Sequence, residues 1–375
     1  MSSLLTDSRR LGAIVLGLWL PVVSSGAELQ ASGAKRHAAV VEDLVRLLQE
    51  RPDLQSALDA ALQKAGVDGV RDRDALLAYL DGLVAFVPVE HEFGPQALKL
   101  YYVIDQAPDD RLNRDERFSA WMKALVEAWG RFLDTPASAA GIASFTARPN
   151  YHVGDYFVGP SGWLTFNQFF AREVKPGKRP VADPRNDRVV VSPADSVFAG
   201  KWDIDAGSKV TVKGVTWSIA KLLDGSPYLG AFANGVFTHS FLNVDDYHRY
   251  HVPVAGTIKE IRRIEGRVYM DVVRRPDGSL DVIDGETYQQ NQERGLVVID
   301  SPDVGLVAVL PIGMSFVSSV NLTPELGASL QKGDEFGYFL FGGSDVVMLF
   351  QSRKVVIDAE VGKKYLQGQR IGEMR

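Results

Sequence analysis

Residues 332–350 read KGDEFGYFLFGGSDVVMLF, with two apolar runs on either side of a Gly-Gly-Ser-Asp segment at 342–345. The apolar and β-branched residues predict strands at 337–341 and 346–351. Glycine and aspartate are common turn residues, so the simplest interpretation of the segment between the strands is a hairpin turn. A second interpretation is chemical. The hydroxyl of Ser344 follows a glycine, and in a held geometry it can attack the preceding carbonyl and exchange the amide for an ester.

Strand-like runs of the same kind continue towards the amino terminus. They are short, rich in β-branched and aromatic residues, and separated by Gly, Pro and Asp. The further predicted strands are 189–192, 209–212, 236–242, 256–264, 267–273, 295–299, 304–309 and 315–320. This texture predicts an antiparallel β-rich domain at 147–375.

The region at 28–146 has the apolar spacing of helices. Apolar residues recur at three- and four-residue steps, and Pro52, Gly66 and Pro88 punctuate the pattern. The predicted helices are one that ends at Pro52 and others at 54–65, 72–86 and 114–133. The chain is therefore expected to be an α+β protein, with a helical N-terminal region followed by the β-rich domain.

The first 27 residues resemble an export signal. Arg9 and Arg10 precede an apolar run at 11–23, and small residues stand at Ser25 and Ala27. The run is too short to span a membrane, which takes roughly 20 apolar residues. The alternative is an apolar segment that docks on the body or lies in a membrane interface. Location therefore stays open between export to the periplasm and a membrane-associated or cytoplasmic site.

Composition excludes several classes of function. The 375 residues are 46% hydrophobic and 23% charged, which is typical of a globular protein. With no cysteine, the chain has no disulfide, no thiolate nucleophile and no sulfur-ligated metal. A net charge of −6 disfavours nucleic acid as a partner. The six histidines do not provide three ligands at metal-binding spacing, so no metal cofactor is expected.

Two imidazoles lie three residues apart in DYHRYHVP, residues 246–253. His248 and His251 are interpretable as an acid/base pair, as metal ligands or as structural polar residues, and spacing alone does not decide. Asp195 follows a predicted strand in Ser-Pro-Ala-Asp, where it could orient a histidine or simply form a turn. Structural roles are expected for the remaining histidines, His37, His91, His152 and His239.

Together these segments resemble the phosphatidylserine decarboxylase family of pyruvoyl enzymes. The motifs run in the same order: FFAREVKPGKRPV (169–181), SPAD (192–195), DYHRYHVPVAG (246–256), KGDE (332–335) and FGGS (341–344). In the helical region, residues 19–21 and 101–133 resemble the branch that includes fungal L-tryptophan decarboxylases.

The resemblance implies self-cleavage between Gly343 and Ser344, into β and α chains that remain associated. Ser344 would become a covalent pyruvoyl group, with neither pyridoxal phosphate nor a metal. By the same resemblance, Asp195 orients His251, and His251 takes the proton from Ser344. His248 helps to hold the substrate carboxylate and returns a proton after CO₂ leaves.

The resemblance implies a substrate that carries an amine and a carboxylate. Phosphatidylserine is the family default, and a free, aromatic L-amino acid is the alternative. Two further hypotheses are a non-processed β-rich binding or scaffold protein and an ordinary Ser-His-Asp hydrolase with an uncleaved chain. Peripheral membrane contact and a homodimer are left open.

Two residues depart from the family pattern. Asp345 stands where Ser or Thr usually follows the cleavage serine, and Ser196 stands where Gly usually follows the aspartate. Neither change removes a reacting group. A carboxylate at Asp345 is expected to lie beside the ester-forming centre, where charge repulsion could slow or retune processing.

Overall fold

The computed structural model describes residues 37–212, 215–282, 288–314, 319–340 and 343–375. The signal-like segment at 1–27 and the start of the predicted helical domain lie outside the described residues. Residues from His37 to Arg375 form one compact unit. The predicted α+β class is confirmed, with a helical region first and an antiparallel β-rich region after it.

The helices begin and end at local sequence signals. Pro52 starts the second helix, and Gly66 ends it in the left-handed conformation with φ 52°. Asp72 and Asp115 each cap the helix that follows by accepting main-chain N–H bonds. The α-helices are α1 (Ala39–Glu50), α2 (Pro52–Ala65), α3 (Arg73–Leu83), α4 (Phe93–Asp105), α5 (Arg111–Arg114), α6 (Glu116–Leu133), α7 (Ile142–Thr146), α8 (Phe166–Phe170), α9 (Ile219–Leu223) and α10 (Tyr288–Asn291).

The strands are short and pair in antiparallel fashion. They are β1 (Val189–Val191), β2 (Ser196–Asp203), β3 (Lys209–Val212), β4 (Val215–Ser218), β5 (Val236–Leu242), β6 (Arg249–His251), β7 (Gly256–Ile264), β8 (Val272–Arg274), β9 (Leu280–Val282), β10 (Arg294–Ser301), β11 (Gly305–Met314), β12 (Val320–Leu322), β13 (Ser329–Leu330), β14 (Glu335–Phe339), β15 (Gly343–Phe350), β16 (Val355–Ile357), β17 (Lys364–Tyr365) and β18 (Arg370–Met374). Eight of them form the main sheet of the described chain, in the order β13-β7-β10-β11-β15-β5-β2-β17.

The main sheet is buried on both faces. Along β15, Val346 and Met348 join the core that includes the helices, and we call this side the helix face. Val347 and Leu349 join a second core with Trp217 of the β3–β4 hairpin, and we call this side the hairpin face. Because side chains alternate along a strand, each residue of β15 is thereby assigned to one face.

The expected hairpin around the Gly-Gly-Ser-Asp segment is wrong. β14 pairs with β12 and β6, whereas β15 pairs with β11 and β5 in a different sheet. Gly343, Ser344 and Asp345 are the first residues of β15 rather than a turn. The chain therefore crosses from one sheet to another just before Ser344.

Other differences from the predicted elements are local. The predicted strand at 267–273 is reduced to an isolated bridge at Arg267 followed by β8. The predicted strand at 315–320 lies mostly outside the described residues, and β12 follows it. Helix α4 was not predicted. Within the described ranges, no helix has both the length and the apolar character needed to cross a membrane.

Candidate active site

Three sequence motifs meet around β6. The main-chain N–H of His251 donates to the carbonyl of Pro193 at 2.7 Å, which joins the Ser-Pro-Ala-Asp turn to the histidine strand. Val252 N donates to Asp334 O, and Gly333 N donates to Val252 O, each at 2.8 Å. The fold thus brings together three segments that are distant in the chain.

The ring of His251 is held on both sides. Its Nδ1 lies 2.8 Å from the carbonyl oxygen of Gly333, and a carbonyl can only accept, so the proton resides on Nδ1. Its Nε2 lies 3.1 Å from the hydroxyl of Tyr247 and accepts from it. Burial lowers the pKa of His251 to about 4, so the imidazole is neutral at pH 7. A neutral ring with its lone pair on Nε2 is the form that a general base requires.

Asp195 is held by a different partner from the one expected. Arg179 donates to its carboxylate from Nε at 2.9 Å and from Nη2 at 2.7 Å, and Gln367 N donates at 2.8 Å. The group that contacts Nδ1 of His251 is the Gly333 carbonyl rather than this carboxylate. Asp195 is linked to His251 through the turn that it shares with Pro193, whose carbonyl accepts from His251 N.

His248 is fully buried and stacks on Phe170, with ring centroids 3.9 Å apart. Its Nδ1 donates to the carbonyl of Asp246 at 3.0 Å, which leaves the lone pair on Nε2. Nε2 is buried and has no hydrogen-bond partner among the described residues. Burial, with a further contribution from the charge of Arg172, lowers the pKa of His248 to about 3. The ring is therefore neutral, and its Nε2 can accept a hydrogen bond from a bound molecule.

Arg172 is a site residue whose role the sequence reasoning did not assign. Its side chain is fully buried, and Nη2 donates to the carbonyls of Asp245 and Asp246 at 2.8 Å each. Its guanidinium lies 4.4 Å from the ring centroid of Tyr156. Arg172 thus fixes the loop that carries His248. The available signal was the Phe-Phe-Ala-Arg motif at 169–172, in which an arginine lies two residues after a pair of aromatic residues.

Ser344 lies inside the main sheet, opposite Gly313 of β11 and Leu242 of β5. It belongs to the helix face, because it alternates with Asp345 and shares its side with Val346. Its Oγ is buried and has no hydrogen-bond partner within the described ranges. Leaving a buried hydroxyl without a partner costs about 1–3 kcal/mol, so this hydroxyl does not contribute to the stability of the fold.

Two chain connections place Ser344 and His248 at the same end of the main sheet. One leads from Leu242, the partner of Ser344, to His248. The other leads from Phe339, whose N–H donates to the carbonyl of His248 at 2.9 Å, to Gly343. Two buried polar atoms without partners therefore lie at the same end of β5 and β15.

Asp345 lies on the hairpin face, opposite to the side chain of Ser344. Its Oδ1 is 3.0 Å from Nε2 of His239 on β5, and its side chain is fully buried. The sequence had suggested that this carboxylate lies beside the serine hydroxyl. That prediction is wrong, because the two side chains point to opposite faces of the sheet. Ser196, the other departure, is buried at the start of β2 and donates to Ala194 O at 3.3 Å.

A groove of about 560 Å³ opens beside the segment that leads to Gly343. Its lining includes Trp163, Arg172, Arg249, Tyr338 and Leu340. A second cavity of about 240 Å³ shares Asn167 and Leu340 with the groove and is lined on its other side by α6. In the part of the chain that the structure describes, no group of three or more His, Asp or Glu side chains is placed to hold a metal ion.

The sequence is similar to known proteins in this same region. Residues 166–373 match the family model described as phosphatidylserine decarboxylase. Phosphatidylserine decarboxylase proenzyme 3 of Schizosaccharomyces pombe is 35% identical over 240 residues, 64% of this chain and 24% of that protein. The phosphatidylserine decarboxylase proenzyme of Fusobacterium nucleatum is 31% identical over 239 residues, 64% of this chain and 77% of that protein.

A third relative carries a different name. Decarboxylase iboD of Amanita muscaria is 29% identical over 291 residues, 68% of this chain and 83% of that protein. The chain spans well under half of the Schizosaccharomyces protein and of a rice relative, at 24% and 38% of their lengths. The family model nevertheless covers more than half of this chain and contains every motif of the site. The chain therefore belongs to the phosphatidylserine decarboxylase family.

Proposed function

We propose that this chain is a self-processing, pyruvoyl-dependent decarboxylase that removes the α-carboxylate of a substrate bearing an amino group. Phosphatidylserine, converted to phosphatidylethanolamine, is the leading substrate. The observation that carries the proposal is the hydroxyl of Ser344, which is buried, has no partner among the described residues and directly follows Gly343. Two of the relatives are named as proenzymes, which supports a chain that is made as a precursor.

In the proposed cleavage, Oγ of Ser344 attacks the carbonyl carbon of Gly343. The peptide C–N bond breaks as the C–O bond forms, which gives an ester. Elimination then releases Gly343 as a carboxylate, and hydrolysis of the remaining dehydroalanine releases ammonia. The products are a β chain that ends at Gly343 and an α chain that starts at position 344 with a pyruvoyl group.

His251 is the proposed base for the first step. It is neutral at pH 7, and the Gly333 carbonyl fixes its proton on Nδ1. To take the proton of Ser344, Nε2 must exchange its bond with the Tyr247 hydroxyl for one with the serine. General-base catalysis of this kind contributes about 10²–10⁴-fold, and held geometry supplies the rest.

His248 is the proposed proton carrier in decarboxylation. Once formed, a pyruvoyl group supplies a carbonyl that accepts the electron pair released as CO₂ leaves. The buried Ser344 Oγ and His248 Nε2, both without described partners, are consistent with a site for that group and for the substrate carboxylate. A carboxylate close to Nε2 raises the pKa of His248, so the ring can gain a proton and return it.

A free aromatic amino acid is the second candidate substrate, and one observation favours it. Trp129, Gly130 and Leu133 of α6 line the cavity of about 240 Å³, so the helical region borders a cavity that adjoins the groove. A Cβ added at Gly130 would meet no heavy atom within 4 Å. A cavity of this volume matches one aromatic side chain better than two acyl chains.

The same glycine provides a test of the substrate. In Gly130→Leu, the leucine side chain should project into this cavity. The helix should be undisturbed, because leucine is a better helix former than glycine. If the cavity holds an aromatic side chain, the variant loses turnover of the free amino acid. If the substrate is phosphatidylserine, the variant retains its turnover.

The remaining parts of the proposal concern organisation. We assign residues 1–27 to a signal-like or interfacial segment, 28–146 to a helical domain and 147–375 to the catalytic domain. The exposed apolar side chains Phe157 and Leu164 line the groove, and exposed Val158 follows Phe157 in the chain. These side chains support peripheral contact with a lipid surface. A homodimer remains an expectation from the family resemblance.

A denaturing gel with intact-mass analysis tests the proposed function. The expected result is two chains that separate at Gly343, with an α chain blocked at its N-terminus, and a single whole chain for Ser344→Ala. Cleavage at Gly343 in Ser344→Ala would contradict the mechanism. CO₂ release from phosphatidylserine vesicles, compared with free Trp, Tyr and Phe, then distinguishes the substrates.

A further inference from the structure

We propose that His239 and Asp345 form a positioning pair that fixes the first residues of β15 in the register needed for self-cleavage at Ser344. The inference rests on the proposed self-processing. It concerns two residues outside the set of four that the family resemblance assigns to the chemistry.

The contact joins neighbouring strands next to the scissile bond. Asp345 immediately follows Ser344 and lies opposite Phe241 of β5 and Ile312 of β11. His239 lies two residues before Phe241 on β5, so it faces the same side of the sheet as Asp345. The distance of 3.0 Å between Asp345 Oδ1 and His239 Nε2 is a direct contact across the two strands.

The surroundings of the pair make the contact necessary. Asp345 is fully buried, Ile312 belongs to the apolar core of the hairpin face, and the ring of His239 lies 5.9 Å from the ring of Trp217. A carboxylate in an apolar layer is strongly unfavourable unless a partner compensates it. The contact between Asp345 and His239 therefore forms only when β15 lies beside β5 in this register.

Register decides where the nucleophile points. A slip of one residue along β15 would move the side chain of Ser344 from the helix face of the sheet to the hairpin face. An apolar side chain at position 345 would resist such a slip weakly, since both faces of the sheet are apolar. A buried polar pair specifies register more sharply, which is a well-attested use of such pairs. Asp345, which stands where the family usually has Ser or Thr, thus has a histidine in contact with it on the adjacent strand.

The test is the rate at which newly made precursor separates into two chains, followed by pulse-chase in cell-free synthesis and a denaturing gel. His239→Leu removes the partner and should slow cleavage roughly 10- to 100-fold, because a small misplacement of the attacking atom costs that much. His239→Gln keeps a donor and should stay within about threefold of wild type. His239→Leu with Asp345→Ser removes the buried charge together with its partner and should recover most of the lost rate.

Two controls separate positioning from folding. Asparagine is polar but shorter than histidine, so His239→Asn should also slow cleavage. This variant keeps the proposal testable if the leucine variant fails to fold. His91→Asn alters an exposed histidine at φ 75° in the helical region and should cleave at the wild-type rate. Variants combined with Ser344→Ala cannot cleave, so their unfolding midpoints report on folding alone.

The outcomes are distinguishable from those of the proposed function. A wild-type chain that stays whole contradicts self-processing itself. A wild-type chain that cleaves, together with a His239→Leu chain that cleaves equally fast, contradicts only the pair. A double variant as slow as His239→Leu also overturns the proposal, because His239 would then act independently of Asp345.

Discussion

Nδ1 of His251 lies 2.8 Å from the carbonyl oxygen of Gly333, and this contact determines which ring nitrogen is basic. The proton must reside on Nδ1, so Nε2 carries the lone pair. In trypsin-like serine proteases a carboxylate performs this orienting task. Here a main-chain carbonyl performs it, and the carboxylate of Asp195 is bound to Arg179 instead.

Self-cleavage should tolerate mild acid. Burial lowers the pKa of His251 to about 4, so its ring stays neutral at pH 5.5, where an ordinary histidine is about 90% protonated. We expect a cleavage rate that is constant from pH 7.5 to about 5.5 and that falls below about pH 4.5. The rate of chain separation across buffers measures this, and a fall centred near pH 6.5 would argue against it.

His248→Ala should separate the two reactions. Processing should continue, because His251 is the proposed base, whereas decarboxylation should fall by at least about 10²-fold. The α chain on a gel reports the first reaction, and CO₂ release per α chain reports the second. A His248→Ala enzyme with full activity would exclude the role given to this residue, and an unprocessed one would assign it to cleavage.

The Arg179–Asp195 pair should be strongly coupled in stability. Both side chains are buried and joined by hydrogen bonds of 2.7–3.0 Å. Removing one partner from a buried pair costs about 3–5 kcal/mol, whereas replacing both by apolar residues costs much less. In the uncleavable Ser344→Ala chain, urea unfolding of Arg179→Met, Asp195→Leu and the double variant measures this. Additive losses would show that the pair is not coupled.

Asp105 lies where α4 contacts β8, and it should make the stability of the fold depend on pH. Its carboxylate accepts from Val272 N at 2.8 Å and from Asn113 Nδ2 at 3.2 Å, and burial raises its pKa to about 7. In the unfolded chain the pKa is about 3.9, so between pH 4 and 7 the folded state holds a proton that the unfolded state has lost. Stability from this group is therefore present at low pH and declines as pH rises to about 7.

Asp105→Asn removes that titration. The effect of the substitution on the free energy of unfolding should therefore be more stabilising at pH 7.5 than at pH 5, by about 2 kcal/mol. Urea unfolding of the Ser344→Ala chain with and without this change, at both values of pH, measures the difference. Equal pH dependence in the two chains would exclude the predicted ionisation.

Local signals in the sequence predicted many element boundaries. Pro52 and Gly66 punctuate the helices, and the strand at 236–242 was predicted with the bounds that β5 has. Those signals act within a few residues, so composition and spacing suffice to locate them.

Pairing between distant segments could not be predicted in the same way. Alternation indicates which side chains share a face of a strand, but not which strand lies beside it. The β14–β15 hairpin was therefore wrong, and the partners of Asp195 and Asp345 were missed. Local patterns marked Ser344, His248 and His251 as candidates, and the order of the motifs then gave each of them a role.

The most direct measurement is the intact mass of freshly purified, catalytically active protein. The account predicts two masses, an α chain of residues 344–375 that begins with a pyruvoyl group and a β chain that ends at Gly343. A single mass equal to that of an uncut chain, in an active preparation, would contradict it.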